Sequence, residues 1–223
     1  MRIAVLIPDR LDRPRFSENC LRMMKAQTLQ PQIYQKVDFP PTDNDIDITK
    51  RYRVGYDALR GKGLDLIAFI ENDDWYAPDY LETMVAAWER FHRPELLGTN
   101  STIYYHIQLK AYSRMDHNDR ASMMNTFIKP DLTFPWCVDL EPYTDLHLWK
   151  SPEVGKVLKN RIVFNPDKLV SIGIKHGVGK TIPAGRHVVD DRVRRSYHIP
   201  DNGFLKETLD AESFEFYNNY FQS

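Results

Sequence analysis

The sequence predicts an α/β domain built on a mostly parallel sheet flanked by helices. Three observations carry this. The first hundred residues alternate apolar runs with amphipathic segments, the connections between them are short, and no repeat or low-complexity tract interrupts them. Alternation of this kind implies parallel strands joined by right-handed crossovers. A chain of 223 residues with 42% hydrophobic and 27% charged residues has room for one such domain.

Each element has its own signal. Ile3-Ala4-Val5-Leu6-Ile7 is a continuous apolar run, the pattern of a strand buried on both faces, and Pro8 closes it. Asp9 to Arg15 is a polar turn holding Arg10, Arg13 and Arg15. Ser17 to Leu29 lacks Gly and Pro and sets Cys20, Met23, Met24 and Gln27 at helical spacing. A second strand is expected over Gln32 to Asp38, ended by Phe39 and Pro40-Pro41. Ile48 to Leu59 reads as a helix stopped near Gly61 and Gly63, and Leu64 to Ile70 as the third strand. Pro78 is expected in the first turn of the next helix, where its missing N–H costs nothing. Leu81, Met84, Val85 and Trp88 give that helix one apolar face.

The second half is less regular. Ile103 to Lys110 reads as a strand, and Arg114 to Asn125, with three Met, as a loop or short helix. The stretch from Asp139 to Trp149 becomes helical near Leu146. Short strands are expected at Ile162 to Phe164 and Leu169 to Ile174. Gly173 to Arg195, rich in Gly, His and Arg, is expected to be a mobile loop, and Leu205 to Phe221 an aromatic-rich helix.

Composition excludes several function classes. Thirty Lys and Arg against 31 Asp and Glu give no electrostatic case for nucleic-acid or membrane binding. Cys20 and Cys137 alone cannot build a disulfide framework or a Cys-rich zinc site. The run Ile3 to Ile7 is too short for a signal-peptide core or a membrane span, so a soluble, cytoplasmic protein is expected.

The chemistry concentrates where the third strand ends, in Ile67-Ala68-Phe69-Ile70-Glu71-Asn72-Asp73-Asp74-Trp75-Tyr76-Ala77-Pro78. Acids so close together repel one another unless solvent or a cation relieves them. The stretch is either a hydrated turn or a divalent-cation site, since carboxylates are hard ligands suited to Mg²⁺ or Mn²⁺ that also hold phosphates. Its position matters, because ligands of parallel sheets bind beyond the carboxyl ends of the strands.

Ile7-Pro8-Asp9-Arg10-Leu11-Asp12-Arg13-Pro14, then Gln27-Thr28, then Glu71 through Glu82, resemble in order and spacing the GT-A glycosyltransferases of the family-two type. The resemblance covers residues 1 to 100. It implies a GT-A, Rossmann-like domain over residues 1–223, with a nucleotide-sugar-binding half (1–100) and an acceptor-binding half (101–223) whose C-terminal acceptor and lid region is irregular. It also implies a nucleotide-sugar donor, a UDP-sugar such as UDP-glucose, a carbohydrate or other hydroxyl acceptor, and Mn²⁺ or Mg²⁺.

Residue by residue, the resemblance puts Asp73 on the metal, Glu71 in place of an Asp near the ribose or the metal's water, Asp74 on the metal or the sugar, and Asn72 among the nucleotide-sugar contacts. Pro8 and Arg10 would touch the nucleotide, Asp38 would read the base, and Arg51 and Arg53 would lie near base and diphosphate. For these two arginines a solvated helix face is an equal alternative. Tyr143-Thr144-Asp145-Leu146-His147-Leu148-Trp149-Lys150 resembles the segment carrying the general base, which makes Asp145 the candidate base or simply a helix cap.

Gly179-Lys180-Thr181 ends like a P-loop, but residue 174, where the first Gly should stand, is Ile174. The better comparison is a basic loop over the diphosphate, with Lys180 in it and a late His completing the metal shell. His176 is the first candidate for that His and His187 the second. Two rivals stand beside the transferase: a non-catalytic nucleotide-sugar or glycan-binding module, and a sugar nucleotidyltransferase, which would want a Gly-rich turn where PDRLDRPR stands.

Overall fold

The computed structural model describes residues 1–41, 46–178 and 186–221. The first half follows the alternating pattern: β1 (Ile3–Pro8), α1 (Pro14–Lys25), β2 (Ile33–Val37), α2 (Ile48–Leu59), β3 (Leu66–Phe69), β4 (Trp75–Tyr76) and α3 (Tyr80–Arg90). There follow β5 (Leu96–Thr99), β6 (Ser101–His106), β7 (Ala111–Asp116), β8 (Thr126–Ile128), α4 (Thr144–Lys150), α5 (Pro152–Val157), β9 (Arg161–Phe164) and β10 (Ser171–Lys175). The chain closes through α6 (Asp191–Ser196), β11 (Ile199–Pro200), α7 (Phe204–Thr208) and α8 (Ala211–Asn218).

The main sheet has the order β2-β1-β3-β8-β5-β9. β1 is parallel to both β2 and β3, β5 is parallel to β9, and only β8 runs against its neighbours. Strand alternation sorts its side chains into two cores. Ile3, Val5, Ile7, Leu66 and Ala68 pack with α1 and α3 on one face, while Ala4, Leu6, Ile67 and Phe69 pack with α2, α4 and α5 on the other. The second face admits α2 closely because of Gly55, where an added Cβ would lie 2.8 Å from Leu6 and Val37 side-chain atoms. A second sheet, β11-β7-β6-β10-β4, joins the acidic turn to the C-terminal half, with β6 and β10 parallel.

Several expectations need correction. Helix α1 starts at Pro14, whose fixed φ suits the first helical position, and ends at Lys25 rather than Leu29. Gln27 is instead drawn into a bridge, donating to the Ala77 carbonyl at 2.8 Å and accepting the Leu81 N–H at 2.9 Å. Pro78 precedes the Asp79 cap of α3 and stands outside the helix, its carbonyl accepting the Thr28 N–H.

Strand β5 was not anticipated, being four residues with a glycine in them. Strand β7 occupies part of the expected loop or helix at Arg114 to Asn125. The C-terminal helix is two helices, divided where Asp210 caps α8 by accepting the Ser213 N–H at 2.9 Å. The expected mobile loop from Gly173 begins inside β10 and ends in α6. Gly173 is needed in that strand because the Tyr104 ring lies 2.4 Å from where its Cβ would stand.

Candidate active site

The acidic turn follows β3 directly, and distant partners fix its backbone. Glu71 N–H donates to the Tyr76 hydroxyl at 2.8 Å, and the Tyr217 hydroxyl of α8 donates to the Asp74 carbonyl at 3.0 Å. Beside it, the end of β1 is tied down through Asp9. That buried carboxylate accepts from Ser17 Oγ at 2.7 Å and Asn72 Nδ2 at 3.0 Å, and pairs with Lys36 at 2.7 Å.

Between these ends lies a cavity of about 340 Å³. Pro8, Arg10, Arg51, Glu71, Asn72, Asp73 and Asp145 all line it, together with His187. The chain thus brings seven of its expected site residues to one cleft, from β1, α2, the acidic turn and α4. His176 lies just behind it, fully buried, with Nε2 2.8 Å from Asp73 Oδ2.

Three expected residues stand elsewhere. Asp38 follows β2, is exposed, and lies 3.7 Å from Lys36 on the outside. Arg53 is two positions from Arg51, which on a helix is the opposite face, and it pairs with Asp139 at 2.9 Å. Asp74 is wholly buried beneath the cleft, where its Oδ1 accepts the Ile174 N–H at 2.6 Å. Lys180 lies outside the described residues.

Arg51 lines the cleft, but its guanidinium serves the protein. It is fully buried, chelates Asp47 at 2.9 and 2.8 Å, and donates to the carbonyls of Asp9, Phe39 (2.7 Å) and Pro40 (3.1 Å). Arg51 is therefore the strut of the loop after β2.

The cleft also holds residues that sequence reasoning did not single out. Arg13 is buried, and its Nη1 donates to Asp73 Oδ2 at 3.0 Å. The signal was its place beside Pro14, which starts α1. Lys175, the last residue of β10, lines the cleft with its Nζ 5.0 Å from the Tyr104 ring centroid. Arg120 lines it too and pairs with Asp145. His106, buried behind the cleft, donates from Nε2 to the His187 carbonyl at 3.2 Å.

The electrostatics divide the acids. Burial works to raise Asp73, yet the hydrogen bond from His176 and the charge of Arg13 hold it well below its ordinary value. Burial, with Glu71 and Asp73 adding to it, pushes Asp74 well above. Burial also raises Asp145 against the pull of Arg120. For Lys175, burial opposes the charge, but Asp74 and Glu71 outweigh it and keep the ammonium above its usual value.

A divalent cation was expected at Asp73 and His176. Ligand atoms of Asp73, His176 and His187 lie within 4.8 Å of one another, as do those of Glu71, Asp73 and Asp74. Spacing alone admits a metal. His176 Nδ1 accepts the Val178 N–H at 2.9 Å, and its Nε2 lies 2.8 Å from Asp73 Oδ2 and 3.2 Å from Arg13 Nη1. His187 Nδ1 likewise accepts a backbone N–H, that of His176, at 3.4 Å.

No protein-family model matches the chain, and no curated protein matches it in sequence. Among solved structures it is similar to S. aureus TarS 1–349 in complex with UDP-GlcNAc, with a TM-score of 0.50 and 13% identity over 100% of this chain and 72% of that one. The chain has a GT-A-like glycosyltransferase fold. At 13% identity the likeness is one of fold. A glycosyltransferase involved in glycosylation of the major capsid of PBCV-1 gives a TM-score of 0.45 and 11% identity, over 76% of this chain and 84% of that one. No helix among the described residues is long and apolar enough to cross a membrane.

Proposed function

We propose that this chain transfers a sugar from a nucleotide-sugar donor, a UDP-sugar such as UDP-glucose or UDP-GlcNAc, to a hydroxyl of a carbohydrate or other acceptor. One observation carries the reading. On a glycosyltransferase fold, a single cleft combines strand-end carboxylates, inward-facing cations and a second buried carboxylate on α4. The UDP-GlcNAc held by the TarS neighbour supports the donor class.

In this reading residues 1–100 take the donor and residues 101–223 the acceptor. Pro8, Arg10 and Asn72 flank the nucleotide, on a floor that Asp9 and Arg51 hold rigid. Glu71 and Asp73 face the sugar and diphosphate. Asp145 takes the proton of the acceptor hydroxyl, whose oxygen attacks the anomeric carbon from the face opposite the leaving diphosphate. The electron pair of the breaking C–O bond leaves with the nucleoside diphosphate, and the product is inverted. The raised affinity of Asp145 for a proton makes it a stronger base than an exposed Asp.

Melting the protein against UDP- and GDP-sugars, with and without Mn²⁺, tests donor binding, since a ligand of the folded state raises Tm. Asp145→Asn is expected to lower transfer by about 10²- to 10⁴-fold with donor affinity unchanged. Failure of every nucleotide sugar to shift the melt, or full activity in Asp145→Asn, would sink the reading.

A further inference from the structure

Resting on that reading, we infer that the donor's diphosphate is neutralised by side chains of this chain, Arg13 and Lys175, and that donor binding needs no divalent metal. The first support is position. Arg13 Nη1 sits 3.0 Å from Asp73 Oδ2 and 3.2 Å from His176 Nε2, atoms of two residues that could hold a metal ion. Its side chain is 6% exposed, so it is a built part of the site rather than a surface arm. Pro14, at the first position of α1, fixes where the chain turns after it.

The second support is how Asp73 is engaged. Its Oδ2 accepts from Arg13 Nη1 at 3.0 Å and lies 2.8 Å from His176 Nε2. A guanidinium of this chain thus already pairs the carboxylate that a cation would need. A cation arriving at Asp73 would also meet the charge of Arg13 on the same oxygen.

The third support is that positive charge continues into the cleft. Lys175 lines it, against the Tyr104 ring and on the side of Glu71, and Arg13 lines it from the N-terminal end of α1. A guanidinium binds phosphate oxygens in pairs and an ammonium binds them as a point charge. When the C–O bond to the β-phosphate breaks, these two cations meet the charge that develops on the phosphate oxygen. The proton given up by the acceptor goes to Asp145, and no further co-reactant is required.

Calorimetric titration of the full chain with UDP, in EDTA and again in MnCl₂, separates the possibilities. Equal affinity in the two buffers is the expected result. Arg13→Gln is expected to weaken UDP in EDTA by roughly 10- to 100-fold, the worth of a charge-assisted hydrogen bond. UDP binding that appears only with Mn²⁺ overturns the inference and leaves the glycosyltransferase reading standing. Unchanged UDP affinity in Arg13→Gln also overturns it. No UDP binding in either buffer overturns both. The comparison of buffers uses the unaltered chain, so it holds even where a variant fails to fold.

Discussion

Replacing Arg51 by Met tests whether this residue is a strut. Its guanidinium is completely buried, chelates Asp47 just before α2, and donates to the carbonyls of Asp9, Phe39 and Pro40, with the Phe39 ring centroid 3.8 Å away. Methionine restores much of the apolar stem but none of the donors. Asp47, 4% exposed, then keeps its charge without the guanidinium that chelated it. Breaking a buried pair from one side costs about 3–5 kcal/mol, much more than the loss of a surface pair. For a chain of this length that corresponds to a fall in Tm of about 6–20 °C. Urea unfolding followed by circular dichroism measures the loss directly. A loss below about 1 kcal/mol, the scale of an exposed substitution, would refute the reasoning. The double variant Asp47→Asn, Arg51→Met should recover part of the deficit, because it removes the stranded charge as well.

Two further perturbations follow from packing and protonation. Gly55→Ala places a methyl 2.8 Å from Leu6 and Val37, so it should cost about 1–3 kcal/mol in the same urea experiment. Asp74 is raised in the folded state, so between the ordinary carboxylate range and its raised value the native chain holds a proton that the unfolded chain lacks. Stability therefore falls as pH rises through that window. Asp74→Asn keeps an acceptor for Ile174 N–H but cannot ionise, so its advantage over the parent should grow from pH 5 to pH 8. Parallel stability curves would contradict this.

How much of this was readable from the residues depends on whether local pattern or distant contact decided them. β1 and α2 were legible because an unbroken apolar run and a clean amphipathic face each admit one solution. Arg51 and Arg53 were not separable in the sequence, since only the docked helix tells which face meets the loop. Asp38 looked like a base reader by position, but the structure turns it outward, and Asp9 is the buried acid on that side. Arg13 and Lys175 were given no site role because their burial depends on partners far along the chain. The late histidines were singled out by the resemblance, while their contacts with Asp73 and Arg13 depend on residues far along the chain.

The ties that hold the acidic turn have a consequence for the order of folding. β1 pairs with β2 and β3 using residues 3–69 alone, so the first sheet can form from one end of the chain. The turn that follows is fastened by partners 100, 103 and 143 residues away, at Ile174, His176 and Tyr217. Closing such long loops costs entropy before the contact repays it. The cleft should thus be the last region to gain hydrogen-exchange protection during refolding, after the strands that carry it. A chain in which α8 has not yet docked would hold a finished first sheet and an acidic turn still open.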